Sequence, residues 1–263
     1  MLVAARAVPV LALANPTYSP SGDGGAFAAA GLCGSHWHSL QQSAEARRGW
    51  MECKWDSYNA LPLFLEPPMQ IVLASASPRR ALLLQMLGFD FTTAEPDVDE
   101  TPLVGESAPE MVIRLACAKA AAVQPDFPEA LLIAADTTVA CDGTILGKPQ
   151  DNAEALAMLR ALSGRQHQVF TGLAMRWRQA QFTYVESSSV TMPEHPDALL
   201  RAYLASGEAM GKAGAYGIQG RGGVLVSSIT GDFYNVMGLP LQALWQGFCE
   251  LGCSGEFLRA LGS

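Results

Sequence analysis

The segment Gln70-Ile-Val-Leu-Ala-Ser-Ala-Ser-Pro-Arg-Arg80 restricts the fold more than any other part of the chain. The apolar run from Ile71 to Ala74 has the length of a short buried strand. Three small residues follow, then Pro78, Arg79, Arg80 and a leucine-rich stretch with helical spacing. A strand therefore turns directly into a helix. Ser77 suits the N-cap and Pro78 the first helical position, where no amide proton is needed. The free amides of a helix N-terminus favour an anion, whereas arginines are usually placed at the opposite end. Two arginines in the first turn cost helix stability unless something negative sits among them, and a polyphosphate is the leading candidate. The alternative is a solvated arginine pair on a surface helix, and this segment alone does not choose between the two.

The chain has 263 residues, 49% of them hydrophobic and 16% charged, which suits a globular protein with a sizeable core. A net charge of −8 argues against a general nucleic-acid-binding surface. A small anionic substrate would need local cations or metal ions set against that overall field. The cysteines at 33, 53, 117, 141, 249 and 253 show no CxxC spacing, and Cys117 and Cys141 read as small core residues, which points to a reducing compartment. No apolar run approaches the length of a membrane span.

Residues 1–68 differ in character from the rest. They hold prolines at 9, 16, 20, 62, 67 and 68 and a glycine-rich patch between Gly22 and Gly25, with no sustained helical or strand period. Leu2 to Ala14 falls short of a signal peptide, because its apolar run is short, contains Pro9 and lacks a clean cleavage pattern. Cys33, His36 and His38 lack a fourth metal ligand at sensible spacing. The expectation is a low-order extension, with Met69 as the true translation start or residues 1–68 dispensable.

From Met69 to Ser263 the order of elements predicts one α/β domain with a mixed sheet. Strand 71–74 leads into helix 78–87, stopped by Gly88, and a short strand is expected near 90–94. Ser107 and Glu110 form a capping box that opens a helix to about Val123. Leu131 to Ala134 reads as a central strand, and Thr137 to Cys141 as a further strand turned by Asp142-Gly143 into Ile145-Leu146. A second cap, Asp151 to Glu154, starts a helix ending at Ser163-Gly164. A hairpin over 167–176 and 181–191, a helix over 197–205, a strand over 224–229 and a last helix from near Leu239 complete the reading.

Several residues carry possible chemistry. Asp136 follows the apolar run Leu131 to Ala135 and so leaves the core where open α/β sheets place ligands; it reads either as a metal or water ligand or as a polar strand terminus. Lys148, between Gly147 and Pro149, reaches a phosphate from a restricted loop or is an ordinary turn lysine. Glu100, beside Asp99 and Glu95, lies in an acidic loop able to ligate Mg²⁺ or Mn²⁺, or merely solvated. The glycine-rich run Lys212 to Gly220 offers backbone and the Gln219 amide to a base, or is a flexible turn. His167 and His195 lack partners at catalytic or metal spacing and read as structural or surface residues. No G-x-S-x-G elbow and no Walker A sequence occurs.

Taken in order, seven segments resemble the Maf family of nucleoside triphosphate pyrophosphatases. They are Leu73 to Arg80, Asp97 to Glu100, Ala135 to Thr137, Gly147 to Pro149, His167 to Gly172, Ala215 to Gly220 and Asn235 to Pro240. The resemblance covers nearly all of the second piece, and residues 1–68 have no counterpart in it. It implies an elongated α/β fold of the Maf/ITPase-like type with the site in a cleft, a cytoplasmic location, a divalent metal (Mg²⁺ or Mn²⁺) and a homodimer, with no nucleic-acid or membrane partner. It also implies cleavage between the α- and β-phosphates.

Carried over position by position, Asp136 matches the proton acceptor, and Lys148, Arg80 and Glu100 match further positions around the cleft expected to be catalytic; on the physical reading Glu100 and Asp136 are the residues to hold the metal. Ser75 matches a substrate-binding position, and Arg79, Thr137 and Gln219 match those tied to substrate choice. This combination is similar to the branch that prefers dTTP and UTP. Alternatives are a purine preference, for inosine, xanthosine or 7-methylguanosine triphosphate, and a nucleotide-binding regulator of septum formation.

Overall fold

The structure, a computed structural model, describes residues 69–263; the expectations for residues 1–68 lie outside the described residues. Strand β1 (Ile71–Ala74) is buried along its whole length and leads into α1 (Pro78–Met86). Ser77 is the N-cap, but its side chain caps nothing; its amide donates to Ser75 Oγ at 3.2 Å. Next come β2 (Thr92–Ala94) and α2 (Ala108–Val123). The α2 cap forms as the sequence predicts: the Ser107 amide and hydroxyl both donate to Glu110, at 2.9 and 2.6 Å. After β3 (Leu131–Cys141) and β4 (Thr144–Leu146), α3 (Asn152–Leu162) starts at Asp151, whose carboxylate accepts from the Glu154 amide at 2.8 Å. The hairpin β5 (Gln166–Trp177) and β6 (Ala180–Thr191) precedes α4 (Asp197–Leu204) and β7 (Ser228–Thr230). Helices α5 (Phe233–Met237), α6 (Leu241–Glu250) and α7 (Ser254–Leu261) end the chain.

The strands form one seven-stranded mixed sheet in the order β2-β1-β3-β5-β6-β7, with β4 also on β3. β1 runs parallel to β2 and β3, and the remaining pairs are antiparallel. The uninterrupted apolar sequences of β1 and β3 follow from cover on both faces. On one face Ile71, Leu73, Leu131 and Ile133 pack with Leu83, Leu84, Leu244, Phe248 and Phe257 of α1, α6 and α7. On the other, Val72, Ala74, Leu132 and Ala134 meet Ala116, Ala120 and Val123 of α2. Burial of each such leucine contributes about 2 kcal/mol. Gly172 lets α2 lie directly on β5, since a Cβ there would fall 2.4 Å from the Val112 carbonyl oxygen. A third cluster packs the far end of β3, through Val139 and Cys141, with Val169 and Val190 against α3 and α4.

Three expectations need correction. Leu131–Cys141 is one continuous strand rather than two separated at Asp136, because β5 pairs with it from Leu132 to Ala140 and carries the ladder straight through the polar pair Asp136-Thr137. The strand expected over 224–229 is a 3₁₀ turn at Gly220–Leu225 followed by the short β7. The loop is tightly folded there, and a Cβ at Gly222 would lie 2.2 Å from the Gly217 carbonyl oxygen. The single last helix expected from near Leu239 is two, α6 and α7, and the short α5 precedes it. Gly238 stops α5 in a left-handed conformation (φ 108°), Pro240 caps α6, and α7 follows Cys253. Among the described residues no helix is long and apolar enough to cross a membrane.

Candidate active site

The edge of β3 that faces β1 is paired in two separate places. β1 pairs with it only as far as Ile133, and β4 takes it up again at Val139. Among the described residues the intervening stretch, with Asp136 and Thr137 in it, has no strand partner on that side. Because β1 stops at Ala74, the chain turns there into α1, and the first turn of α1 flanks the gap. Seven of the residues singled out from the sequence line the resulting cavity of about 340 Å³: Ser75, Arg79, Arg80, Glu100, Asp136, Thr137 and Lys148. Gln219 does not line it; it precedes the 3₁₀ turn of the glycine-rich loop.

Arg80 is only 7% exposed. Its Nε donates to the Gly238 carbonyl at 2.7 Å, Nη1 to Ser75 Oγ at 2.9 Å and Nη2 to Thr137 Oγ1 at 3.0 Å. Every one of these acceptors is neutral. Burial lowers the Arg80 pKa to about 10, with the field of Asp136 opposing the shift, so the guanidinium remains cationic at neutral pH. Arg79 is displaced downward by burial as well, against the influence of Tyr203. Lys212 on the glycine-rich loop, whose ammonium donates to the Glu208 carbonyl, is lowered by burial and by the charge of Arg79, with Glu208 opposing.

The other side carries a residue that the sequence reading missed. Lys119 of α2, 6% exposed, donates from Nζ to Asp136 Oδ1 at 2.6 Å and forms an ion pair with Glu100 Oε1 at 2.6 Å. Lys148 Nζ donates to the other Glu100 oxygen, Oε2, at 2.6 Å. The result is a chain of alternating charges, Asp136, Lys119, Glu100 and Lys148. Burial pushes the Glu100 carboxyl upward, but the two lysines outweigh it and hold the pKa at about 2. The acidic loop is fastened at its base, where Arg114 donates to both oxygens of Glu106 at 2.5 and 2.7 Å and to the Thr101 carbonyl at 3.2 Å. Helical phase is the signal that exposes Lys119: it lies on the stripe Met111, Val112, Leu115, Ala116, Ala120 and Val123, which faces the sheet. A lysine on a buried stripe needs a carboxylate partner.

Both carboxylates expected to hold a metal touch the same ammonium, so they converge on one point. Among the described residues no group of three or more His, Cys, Asp or Glu side chains forms a metal cage. Two oxygen donors beside a phosphate-sized cavity are the donor set that Mg²⁺ and Mn²⁺ accept when substrate phosphates and water complete the shell, so the residues fit that class of cation. His167 and His195 are structural, as expected. His167 Nε2 lies 2.7 Å from the Tyr216 hydroxyl, with the pKa lowered to about 4 by burial, and His195 Nε2 lies 2.9 Å from the Leu225 carbonyl oxygen.

A family model described as Maf-like protein matches residues 70–251. The chain is 46% identical over 183 residues to a dTTP/UTP pyrophosphatase of Symbiobacterium thermophilum, covering 70% of this chain and 94% of that protein. It is 50% identical over 171 residues to a dTTP/UTP pyrophosphatase of Myxococcus xanthus, covering 65% of this chain and 87% of the other. Among solved structures, the Ham1 protein of Staphylococcus aureus is 16% identical, covering 47% of this chain and 71% of its own, with a TM-score of 0.32.

Proposed function

This chain belongs to the Maf family, and from that premise we propose that it hydrolyses dTTP and UTP to the nucleoside monophosphate and pyrophosphate. The observation that carries the reading is Arg80, a buried cation held in place by neutral oxygens at the floor of a cleft. Among the described residues no carboxylate bonds this buried charge directly, and a triphosphate would supply that anion.

In this reading Arg79, Arg80, Lys148 and the first amides of α1 bind the triphosphate and neutralise the charge that develops on its oxygens. Ser75 fixes Arg80 from beneath. Asp136 orients the attacking water and takes its proton, while the water oxygen bonds to phosphorus and the bridging bond between the α- and β-phosphates breaks, its electrons leaving with the departing phosphate oxygen. Lys119, paired with Asp136 at 2.6 Å, holds that carboxylate in place until substrate arrives. Glu100 and Asp136 would hold Mg²⁺ or Mn²⁺, which when bound offsets phosphate charge and makes coordinated water more acidic. Arg79, Thr137 and Gln219 select the pyrimidine, Gln219 from the loop beside the cleft. A homodimer in the cytoplasm, with no nucleic-acid or membrane partner, belongs to the same proposal.

The test is product analysis on the full chain with Mg²⁺ or Mn²⁺ and a panel of nucleoside triphosphates. Monophosphate and pyrophosphate from dTTP and UTP are expected. Release of orthophosphate, faster turnover of inosine, xanthosine or 7-methylguanosine triphosphate, or binding without turnover each overturns a named part of the reading.

A further inference from the structure

Arg80 is held by a ring of hydrogen bonds whose far side lies outside the cleft. Its Nη2 donates to Thr137 Oγ1 at 3.0 Å, Thr137 Oγ1 lies 2.9 Å from Thr171 Oγ1, and Thr171 Oγ1 donates to the Asn235 carbonyl at 3.0 Å. The Thr171 proton is thus committed to Asn235, so between the two hydroxyls it is Thr137 that donates. Donation runs one way from Arg80 through Thr137 and Thr171 to Asn235, a direction in which successive bonds polarise one another. The last turn of α5 then closes the ring at Gly238, whose carbonyl accepts from Arg80 Nε at 2.7 Å.

The far side of the ring is itself fastened. Asn235 has no exposure, and its Nδ2 donates to the Val169 carbonyl at 3.0 Å and to Ser188 Oγ at 2.9 Å. Gly238 sits so close that a Cβ there would come within 3.2 Å of Thr137 Oγ1. Of the five guanidinium N–H groups, the ring and Ser75 engage three, which leaves two for a ligand.

We propose that Thr171, which is fully buried and does not line the cleft, is a positioning residue: through Thr137 it fixes the plane of the Arg80 guanidinium before substrate arrives. The inference rests on the pyrophosphatase reading above. Without the Thr171 hydroxyl, the Thr137 proton and the Asn235 carbonyl lose their shared partner, and one anchor of the guanidinium slackens. A preorganised donor matters most where charge develops, so the loss falls on kcat more than on KM.

The experiment compares Thr171→Val, which keeps shape and removes the hydroxyl, with Thr171→Ser, which keeps the hydroxyl. Each is made in the wild-type and in the Arg80→Lys background, with dTTP turnover and Tm measured for all. Thr171→Val is expected to lower kcat about tenfold with KM changed less than about twofold, and Thr171→Ser to stay within about twofold of wild type. Lysine has no planar fork to join the ring, so in the Arg80→Lys background Thr171→Val should change kcat by less than about twofold. Equal losses in both backgrounds, or wild-type kcat in Thr171→Val, overturn the proposal. If Thr171→Val does not fold, Thr171→Cys, similar in size with a weak donor, is held to the same criteria. A wild-type protein that releases no pyrophosphate from dTTP or UTP overturns the functional reading, and this inference with it, before any variant is compared.

Discussion

On one side of the cleft Lys119 sits 2.6 Å from both Asp136 and Glu100, while on the other Arg80, equally buried, donates among the described residues only to a carbonyl and two hydroxyls. Both arrangements take a cation out of water, but they leave different residues of charge. The lysine side is internally compensated: each charge has an opposite neighbour, and the Coulomb attraction offsets much of the desolvation. On the arginine side two N–H groups stay open and, among the described residues, no carboxylate is hydrogen-bonded to the guanidinium. A fold that only needed to bury these groups would place a carboxylate beside Arg80. The contrast teaches that one wall holds itself in shape and the other is shaped for an anion that arrives from outside.

The largest effect expected from breaking this contrast is Asp136→Asn. Asparagine cannot accept the proton of water, and kcat for pyrophosphate release should fall at least about a thousandfold. Folding should survive, because Lys119 keeps Glu100 as a partner. Turnover near the wild-type rate in a variant with unchanged Tm would remove Asp136 from the chemistry.

Stability should respond to the two cations in opposite proportion to their ligand-binding importance. Lys119→Met leaves two carboxylates facing each other without a cation between them, and denaturant unfolding should show a loss of about 3–5 kcal/mol. Arg80→Met removes a desolvated charge but leaves the Gly238, Ser75 and Thr137 oxygens without its donors, so its loss should be smaller, about 1–2 kcal/mol, although triphosphate binding is abolished. Equal destabilisation by the two would show that Arg80 has a hidden counter-charge and that the walls are alike.

Much of this was readable from the sequence, and what was not has physical causes. The β1–α1 junction, the α2 and α3 caps and the β5–β6 hairpin depend on local patterns, and they stand where the sequence puts them. The break expected at Asp136 failed because local polarity yields to a ladder with β5 that lies more than thirty residues away. Seven of the eight candidate residues converge in the cleft because each sits in a compact segment with its own turn chemistry. Lys119 was hidden by its alanine-rich surroundings, and only the helical phase betrays it. The pairing of Thr171 with Asn235 joins residues 64 apart and has no local signature at all.

The cluster against α3 and α4 supplies a control away from both walls. Burial holds His167 at a pKa of about 4, below its ordinary 6.5, so the folded protein resists protonation of that ring. The unfolded chain binds the extra proton first. His167 therefore favours folding fully above about pH 6.5, and this contribution of up to about 3 kcal/mol is lost as pH falls toward 4. His167→Gln should flatten the pH dependence of unfolding free energy across that window and leave the charge chain of the cleft untouched. A slope that persists in the variant would assign it to other groups.

The smallest effect tests whether the compensated wall is compensated in solution. Glu100 has a folded pKa of about 2, below its ordinary 4.5, because Lys119 and Lys148 outweigh the burial that opposes them. A depressed carboxylate contributes stability above its unfolded pKa and loses it as pH falls through the folded one, so the window runs from about pH 4.5 down to 2. The side chain is 39% exposed, and solvent screening reduces the contribution to less than about 1 kcal/mol. Unfolding of Glu100→Gln and wild type should therefore differ slightly at pH 6 and converge as pH drops toward 2, with the difference also shrinking in high salt. If the difference holds constant across that range, the two lysines do not grip Glu100 in water. Lys148 would then be a second free cation facing the substrate, and the asymmetry between the walls would narrow to Lys119 and Asp136 alone.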